Sequence, residues 1–253
     1  MGVRILLTND DGIHAEGLLA LHDALASHHE VFVVAPDREQ SAASHAITLA
    51  RPLRIKERRP RWHEVDGTPT DCVYIALNHL LKAQRPAVTC SGINDGPNVG
   101  NDVLYSGTVA AAVESAVIGV PGIALSFAGK ARDFAGAARF APALVEAVAG
   151  HPLPRHALLN VNFPSGNADR FAITCLGTRN YGAVVHEKTD PRGRQYYWIG
   201  GGDAHYDDLP GSDCNAVFKD GVISLTPLNI DLTDHGLLGT LGTWRVQGYQ
   251  MHA

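Results

Sequence analysis

Val3-Arg4-Ile5-Leu6-Leu7-Thr8-Asn9-Asp10-Asp11-Gly12 is an apolar run that ends in two adjacent carboxylates and a glycine. A short continuous apolar run bounded by turn residues is the pattern of a strand buried on both faces of a parallel sheet. Gly12 lets the backbone leave the strand, so Asp10 and Asp11 fall where the strand ends and a turn begins. Open α/β sheets bind their ligands at that end.

Outward from this strand, further strand-like runs at 31–35, 87–90, 122–126 and 158–163 alternate with stripes at helical spacing. The stripes are Ala15, Leu18, Leu19, His22 and Leu25; Val73, Ala76, Leu77, Leu80 and Leu81; Val109, Ala112, Val113, Ala116 and Val117; and Phe134, Ala138, Ala141, Val145 and Val148. This alternation predicts βαβ units, hence a Rossmann-like three-layer α/β/α core with a mostly parallel sheet over residues 1–165. Residues 48–66 break the rhythm and predict a hairpin around Pro52 and Pro60, its basic run facing solvent. From 166 to 253 the helical stripes give way to short β-like pieces at 195–200 and 222–225 and to glycine-rich stretches such as Gly200-Gly201-Gly202-Asp203. That tail is read as a smaller β-rich region that pairs with another subunit, because isolated hairpins are marginal alone.

Bulk properties agree with one large α/β domain, or a domain with an appendage. The chain has 253 residues, 45% of them apolar and 19% charged. A formal charge of −5 and a pI near 6.2 give no broad basic field, which argues against duplex nucleic acid as a partner. The four cysteines, Cys72, Cys90, Cys175 and Cys214, show no C-x-x-C spacing and read as reduced thiols. No apolar stretch reaches the roughly eighteen residues of a membrane span, and a cytoplasmic protein is expected.

Asp10 and Asp11 offer hard oxygen ligands that suit Mg²⁺ or Mn²⁺; the same Asn-Asp-Asp-Gly run also serves as an ordinary turn. A second stretch, Ser91-Gly92-Ile93-Asn94-Asp95-Gly96-Pro97-Asn98-Val99-Gly100, again follows a strand, and Asn94 can supply a neutral carbonyl oxygen. Tyr105-Ser106-Gly107-Thr108 leads into the third helical stripe, where free N–H groups favour a phosphate; helix capping by Ser106 and Thr108 is the alternative. In the loop after the second strand, Ser41 and Ser44 either bring hydroxyls to a metal or phosphate or simply form turns, and Asp37 and Arg38 can pair with each other. His14, His45 and His235 are candidate general acids. Motifs for a P-loop, a G-x-G-x-x-G dinucleotide site, a G-x-S-x-G nucleophile or a D-x-D phosphatase are absent.

The segments Thr8-Asn9-Asp10-Asp11-Gly12, Val34-Ala35-Pro36-Asp37-Arg38 with Ser41 and Ser44, Gly67-Thr68-Pro69-Thr70-Asp71-Cys72-Val73, Ser91-Gly92-Ile93-Asn94 and Tyr105-Ser106-Gly107-Thr108-Val109 resemble, in order, the SurE family of stationary-phase survival proteins. Asp190-Pro191-Arg192-Gly193 and Thr226-Pro227-Leu228 with Asp231 extend the likeness into the tail. The resemblance implies a metal-dependent 5′/3′-nucleotidase, in some members also an exopolyphosphatase, with one divalent cation held by Asp10, Asp11, Ser41 and Asn94. It also implies a homodimer or homotetramer built through the C-terminal region. Glu16 stands where the family commonly has proline, and Ser115 where glycine is usual. The mechanism expected is phosphoryl transfer to water, with Asp10, Asp11 and Asn98 catalytic and Ser44, Asn98, Ser106, Gly107 and Thr108 cradling the phosphate. Attack by Asp10 to form an aspartyl-phosphate is the alternative chemistry, and a non-catalytic nucleotide-binding sensor the alternative function.

Overall fold

The computed structural model describes residues 2–129, 132–151, 153–166, 168–182, 184–200 and 204–248. Gly201, Gly202 and Asp203 of the glycine-rich tail lie outside the described residues. In chain order the elements are β1 (Arg4–Thr8), α1 (Glu16–Ala26), β2 (Glu30–Pro36), β3 (Ile55–Arg59), β4 (Trp62–Val65), α2 (Pro69–Ile75), β5 (Val88–Asp95), α3 (Gly107–Ile118), β6 (Gly122–Phe127), α4 (Phe134–Ala138), α5 (Ala141–Gly150) and β7 (Ala157–Phe163). There follow β8 (Phe171–Ile173), β9 (Arg179–Asn180), β10 (Val185–Thr189), β11 (Gln195–Ile199), β12 (His205–Tyr206), α6 (Asp213–Phe218), β13 (Ile223–Asn229) and α7 (His235–Leu241).

Among the described residues the central sheet has nine strands in the order β3-β4-β2-β1-β5-β6-β7-β13-β8. Its six inner strands, β4 to β7, run parallel. From β1 the chain moves outward through β2 to β4; after the α2 crossover it restarts at β5 and moves the other way. The order therefore reverses between β1 and β5, and their following loops part to opposite faces. Such a switch point opens a crevice at the carboxyl ends of the two strands.

Strand alternation distributes the core between two helical layers. Ile5 and Leu7 of β1, with Val31, Val33 and Ala35 of β2, join the cluster that holds Leu18, Leu21 and Leu25 of α1 and Val145 of α5. Leu6 and Val34 point the other way, into the cluster with Val73, Ala76, Leu77 and Ala111 beneath α2 and α3. Leu19, placed in the first helical stripe by spacing, is instead 39% exposed. The predicted hairpin forms and does more than sit in solvent: β3 is exposed throughout, but β4 buries Trp62 and Val65 and pairs with β2.

The tail also returns to the sheet. β13 pairs antiparallel with β7 from Ser224 to Asn229, and β8 pairs parallel with β13. Both strands of the β10–β11 hairpin are exposed at every residue, and α7 buries none of its own.

α1 approaches the end of β5 so closely that a Cβ on Gly17 would lie 2.0 Å from the carbonyl oxygen of Ile93. Helix propensity alone would make Gly17→Ala stabilising by up to about 1 kcal/mol. The backbone contact reverses the sign: urea unfolding should show a loss of about 1–3 kcal/mol, the range for overpacking. A gain in stability would refute the close approach.

Candidate active site

β1 and β5 end side by side, and Asp10 and Asp11 follow β1 where Asn94 and Asp95 close β5. The turn is held from within and from outside. Asn9 Nδ2 donates to the Gly12 carbonyl at 2.9 Å, and the Gln40 N–H donates to the Asp10 carbonyl at 2.8 Å, tying the loop after β2 to it. Gly12 has φ +98°, which favours glycine, and its missing Cβ also admits the backbone of Arg38. The turn reading and the ligand reading of this run are thus compatible.

Asp10 is 5% exposed and rests on the first turn of α3. The Thr108 hydroxyl donates to its Oδ1, and the Thr108 backbone N–H adds to that hold. Gly107 allows the approach: a Cβ there would stand 2.9 Å from Asp10 Oδ2. Burial lifts the Asp10 carboxyl above its usual range, against the opposing pull of Thr108. Burial, and then the charge of Asp10, push Asp11 up to about 6, although the Asp95 N–H donates to its Oδ2 at 3.2 Å.

Asp10, Asp11 and Asp95 line one cleft of about 730 Å³ together with Ser41, Asn94, Asn98 and Ser106. Asn94 Nδ2 donates to the Gly96 carbonyl at 2.9 Å, which turns its side-chain oxygen into the remaining acceptor. Ser41 lines the cleft but donates to Glu39 Oε1 at 2.6 Å. Among the described residues no three His, Cys, Asp or Glu side chains gather as a metal site. The donor set offered is two carboxylates plus neutral oxygens from Asn94 and Ser41. Hard oxygens beside two carboxylates that burial lifts above their usual range, Asp11 also through the charge of Asp10, fit a divalent cation, whose charge relieves both penalties.

The structure distributes the expected phosphate residues unevenly. Ser106 caps α3, accepting the Val109 N–H at 3.0 Å, and faces the cleft. Thr108 is spent on Asp10, and the Ser44 hydroxyl donates to the Leu104 carbonyl at 2.7 Å. His45 Nε2 lies 2.8 Å from Glu114, which removes it from the cleft; His235 pairs with Asp231 at 3.0 Å; His14 lines the cleft and is exposed. Glu16, the departure from the family pattern, lies on the cleft wall. Ser115 is fully buried; its hydroxyl donates to the Val120 carbonyl and shares a hydrogen bond with the Thr89 hydroxyl, so it stitches α3 to β5.

Asn98 has a seat that the sequence reading missed. Its N–H donates to Asn162 Oδ1 at 2.8 Å, its carbonyl accepts from Asn160 Nδ2 at 2.8 Å and Asn162 Nδ2 at 3.1 Å, and its own amide donates to Ser126 Oγ at 2.8 Å. The signal was Leu159-Asn160-Val161-Asn162-Phe163: two amides at period two inside an apolar strand put both on one face, where a buried polar group requires partners. A second missed cluster is Asp102, which accepts from Tyr181 Oη at 2.8 Å and from Arg179 at 2.6 Å and clips the tail to the cleft rim.

Switch-point topology, paired carboxylates and a capped helix start define a class: an α/β protein with a polar, carboxylate-lined cleft at the carboxyl ends of its parallel strands. Comparison with known proteins narrows that class. The family model described as survival protein SurE matches residues 5–183. The chain is 57% identical over 251 residues to the 5′-nucleotidase SurE of Myxococcus xanthus, covering 98% of this chain and 96% of that protein. It is 48% identical over 247 residues to the 5′-nucleotidase SurE of Geobacter metallireducens, covering 96% and 97%. The crystal structure of the SurE protein from Aquifex aeolicus superposes with a TM-score of 0.83 at 35% identity, over 94% of this chain and 98% of that one. The chain belongs to the SurE family.

With Asp11 raised to about 6 from 3.8, the native state binds more protons than the unfolded chain between those values, so this group costs stability as pH rises through that window. In EDTA, thermal melting of Asp11→Asn should exceed that of the native chain above pH 6, and the gap should close as pH falls towards 3.8. A gap independent of pH would contradict the raised carboxyl.

Proposed function

We propose that this protein is a metal-dependent phosphohydrolase that removes phosphate from nucleoside monophosphates, acting on 5′-nucleotides and also on 3′-nucleotides, and as an exopolyphosphatase. The observation that carries the proposal is the pair Asp10 and Asp11 at the β1/β5 switch point, Asp10 against the start of α3, in one cleft with Ser106. The name 5′-nucleotidase borne by relatives at 57% and 48% identity supports the 5′-monophosphate as first substrate.

Asp10, Asp11, Asn94 and Ser41 would hold the cation, Mg²⁺ or Mn²⁺, with Ser41 turning from Glu39. When bound, such a cation neutralises phosphate charge and acidifies a water nucleophile. The chain's own groups do the rest. Ser106 and the N–H of Gly107 receive the phosphate at the helix start, and Asn98, fixed by Asn160 and Asn162, presents an amide whose position costs no reorganisation during reaction. Asp10, pinned by Thr108 and packed on Gly107, is better placed to hold a cation than to attack phosphorus, which favours water over an aspartyl-phosphate. Tyr105 and Tyr181 line the same cleft and offer rings to a base, whereas Tyr196, Tyr197 and Trp198 stand on the exposed hairpin.

Those hairpin aromatics, with the exposed Leu237, Leu238 and Leu241 of α7, support a homodimer or homotetramer assembled through residues 166–253. Among the described residues no helix is long and apolar enough to cross a membrane, and the four cysteines are free; both support a cytoplasmic enzyme.

The test is phosphate release from 5′- and 3′-nucleoside monophosphates with Mg²⁺, Mn²⁺ or EDTA, with light scattering of the same samples for the oligomer. Release should require metal and fall at least about 100-fold in Asp10→Asn, the scale on which loss of a metal ligand or its support acts. Nucleotide binding without release under any metal would instead establish the sensor reading.

A further inference from the structure

The cleft carries a charge problem that its assigned residues leave unsolved. Six carboxylates line it, Asp10, Asp11, Glu16, Glu39, Asp95 and Asp102, of which Arg179 already answers Asp102, and a phosphate monoester near neutral pH is itself close to a dianion. One bound divalent cation answers the charge of two carboxylates at most. Among the described lining residues Arg132 is the single lysine or arginine.

Arg132 is placed deliberately. It lies between β6 and α4 with φ +50°, a left-handed conformation that a non-glycine residue adopts at a cost of order 1 kcal/mol. The turn is locked: the Phe134 N–H donates to the Arg132 carbonyl at 2.9 Å, and Asp133 caps α4 by accepting the Gly136 N–H at 2.9 Å. A turn alone would be served better by glycine. What an arginine adds is its head group, whose Nη2 lies 2.6 Å from Asp95 Oδ2 with the side chain 63% exposed. Asp95 in turn holds Asp11 through its backbone N–H. A guanidinium has five donors in a planar fork, so the contact with Asp95 leaves others for an anion.

We propose that Arg132 is the substrate-recruiting and charge-selecting residue of this cleft: one edge of its guanidinium stays on Asp95 while another takes a non-bridging oxygen of the substrate phosphate. The proposal rests on the phosphohydrolase reading above and adds to it a residue outside the metal and helix-start groups. Asp95 is then a positioning residue that aims Arg132 and screens it from the other carboxylates.

Steady-state kinetics on 5′-AMP with Mn²⁺, for the native enzyme, R132Q, R132K, D95N and R132Q/D95N, test it. R132Q should raise KM and the inhibition constant of inorganic phosphate together by roughly tenfold or more, as loss of a hydrogen bond to a charged group does, with kcat nearly unchanged. R132K should recover part of the loss, keeping the charge without the fork. D95N should change KM in the native background and leave it alone in R132Q, the signature of two residues acting through one contact. An unchanged KM in R132Q, or a fall in kcat at constant KM, would overturn the proposal. Calorimetric binding of inorganic phosphate to native and R132Q protein with Mn²⁺ reads Arg132 without turnover. Equal affinities there also overturn it, whereas weaker binding to R132Q in a protein that releases no phosphate would sink the phosphohydrolase reading and leave Arg132 standing.

Discussion

A carboxylate buried on the first turn of a helix sets the terms for the rest of this molecule. Asp10 has lost most of its water, and what it receives in return is one hydroxyl and one N–H from Thr108 and the positive end of α3. A helix terminus is worth about 1 kcal/mol, reaching ~2 in buried geometry. Taking a carboxylate out of water costs several. The protein dipoles lose that comparison, which is why the Asp10 carboxyl is lifted above its usual range, and a second carboxylate at Asp11 deepens the deficit. In the function proposed above, a divalent cation held by Asp10 and Asp11 closes it.

Several otherwise unrelated features serve this one seat. Residue 107 is glycine because any Cβ would press on Asp10; residue 12 is glycine because the chain turns there with positive φ beside Arg38. The α2 crossover brings β5 next to β1, so that Asn94 and Asp95 meet Asp11 across the reversal of strand order. Asn98 is fixed from β7, a strand two places away, through a set of amides whose every tie runs to the Asn98 backbone or side chain. Network and helix start hold these polar groups by hydrogen bonds around the cleft, the arrangement expected of a site whose polar groups are set before substrate arrives.

Much of this was legible in the sequence, for physical reasons that differ by residue. The parallel core could be read because strands buried on both faces are continuous apolar runs; Asp10, Asp11 and Asn94 could be placed because they follow such runs, and Ser106 because it stands directly before a helical stripe. Thr108 and Ser44 were read by type as phosphate groups, but a hydroxyl near a helix start bonds whatever acceptor lies nearest; for Thr108 that is Asp10 and for Ser44 the Leu104 carbonyl. Tyr181 and Arg132 reach the cleft region only through tertiary pairing across many residues, and no local pattern announces that; the period-two amides Asn160 and Asn162 announce a need for partners but not that Asn98 is the partner. The return of β13 and β8 to the central sheet was hidden for the same reason: the pairing of Ser224–Asn229 with β7 is decided by which sheet edge is vacant, not by the residues of β13 alone.

The central claim is that the switch-point carboxylates bind a divalent cation, and calorimetric titration of Mn²⁺ into the native chain and into Asp10→Asn addresses it most directly. The account expects one Mn²⁺ per chain in the native protein and loss of that site in the variant, with both proteins folded by circular dichroism. Equal stoichiometry and affinity in the two would mean that the cation, if the protein uses one, is held elsewhere, and the assignment of Asp10 and Asp11 would fall.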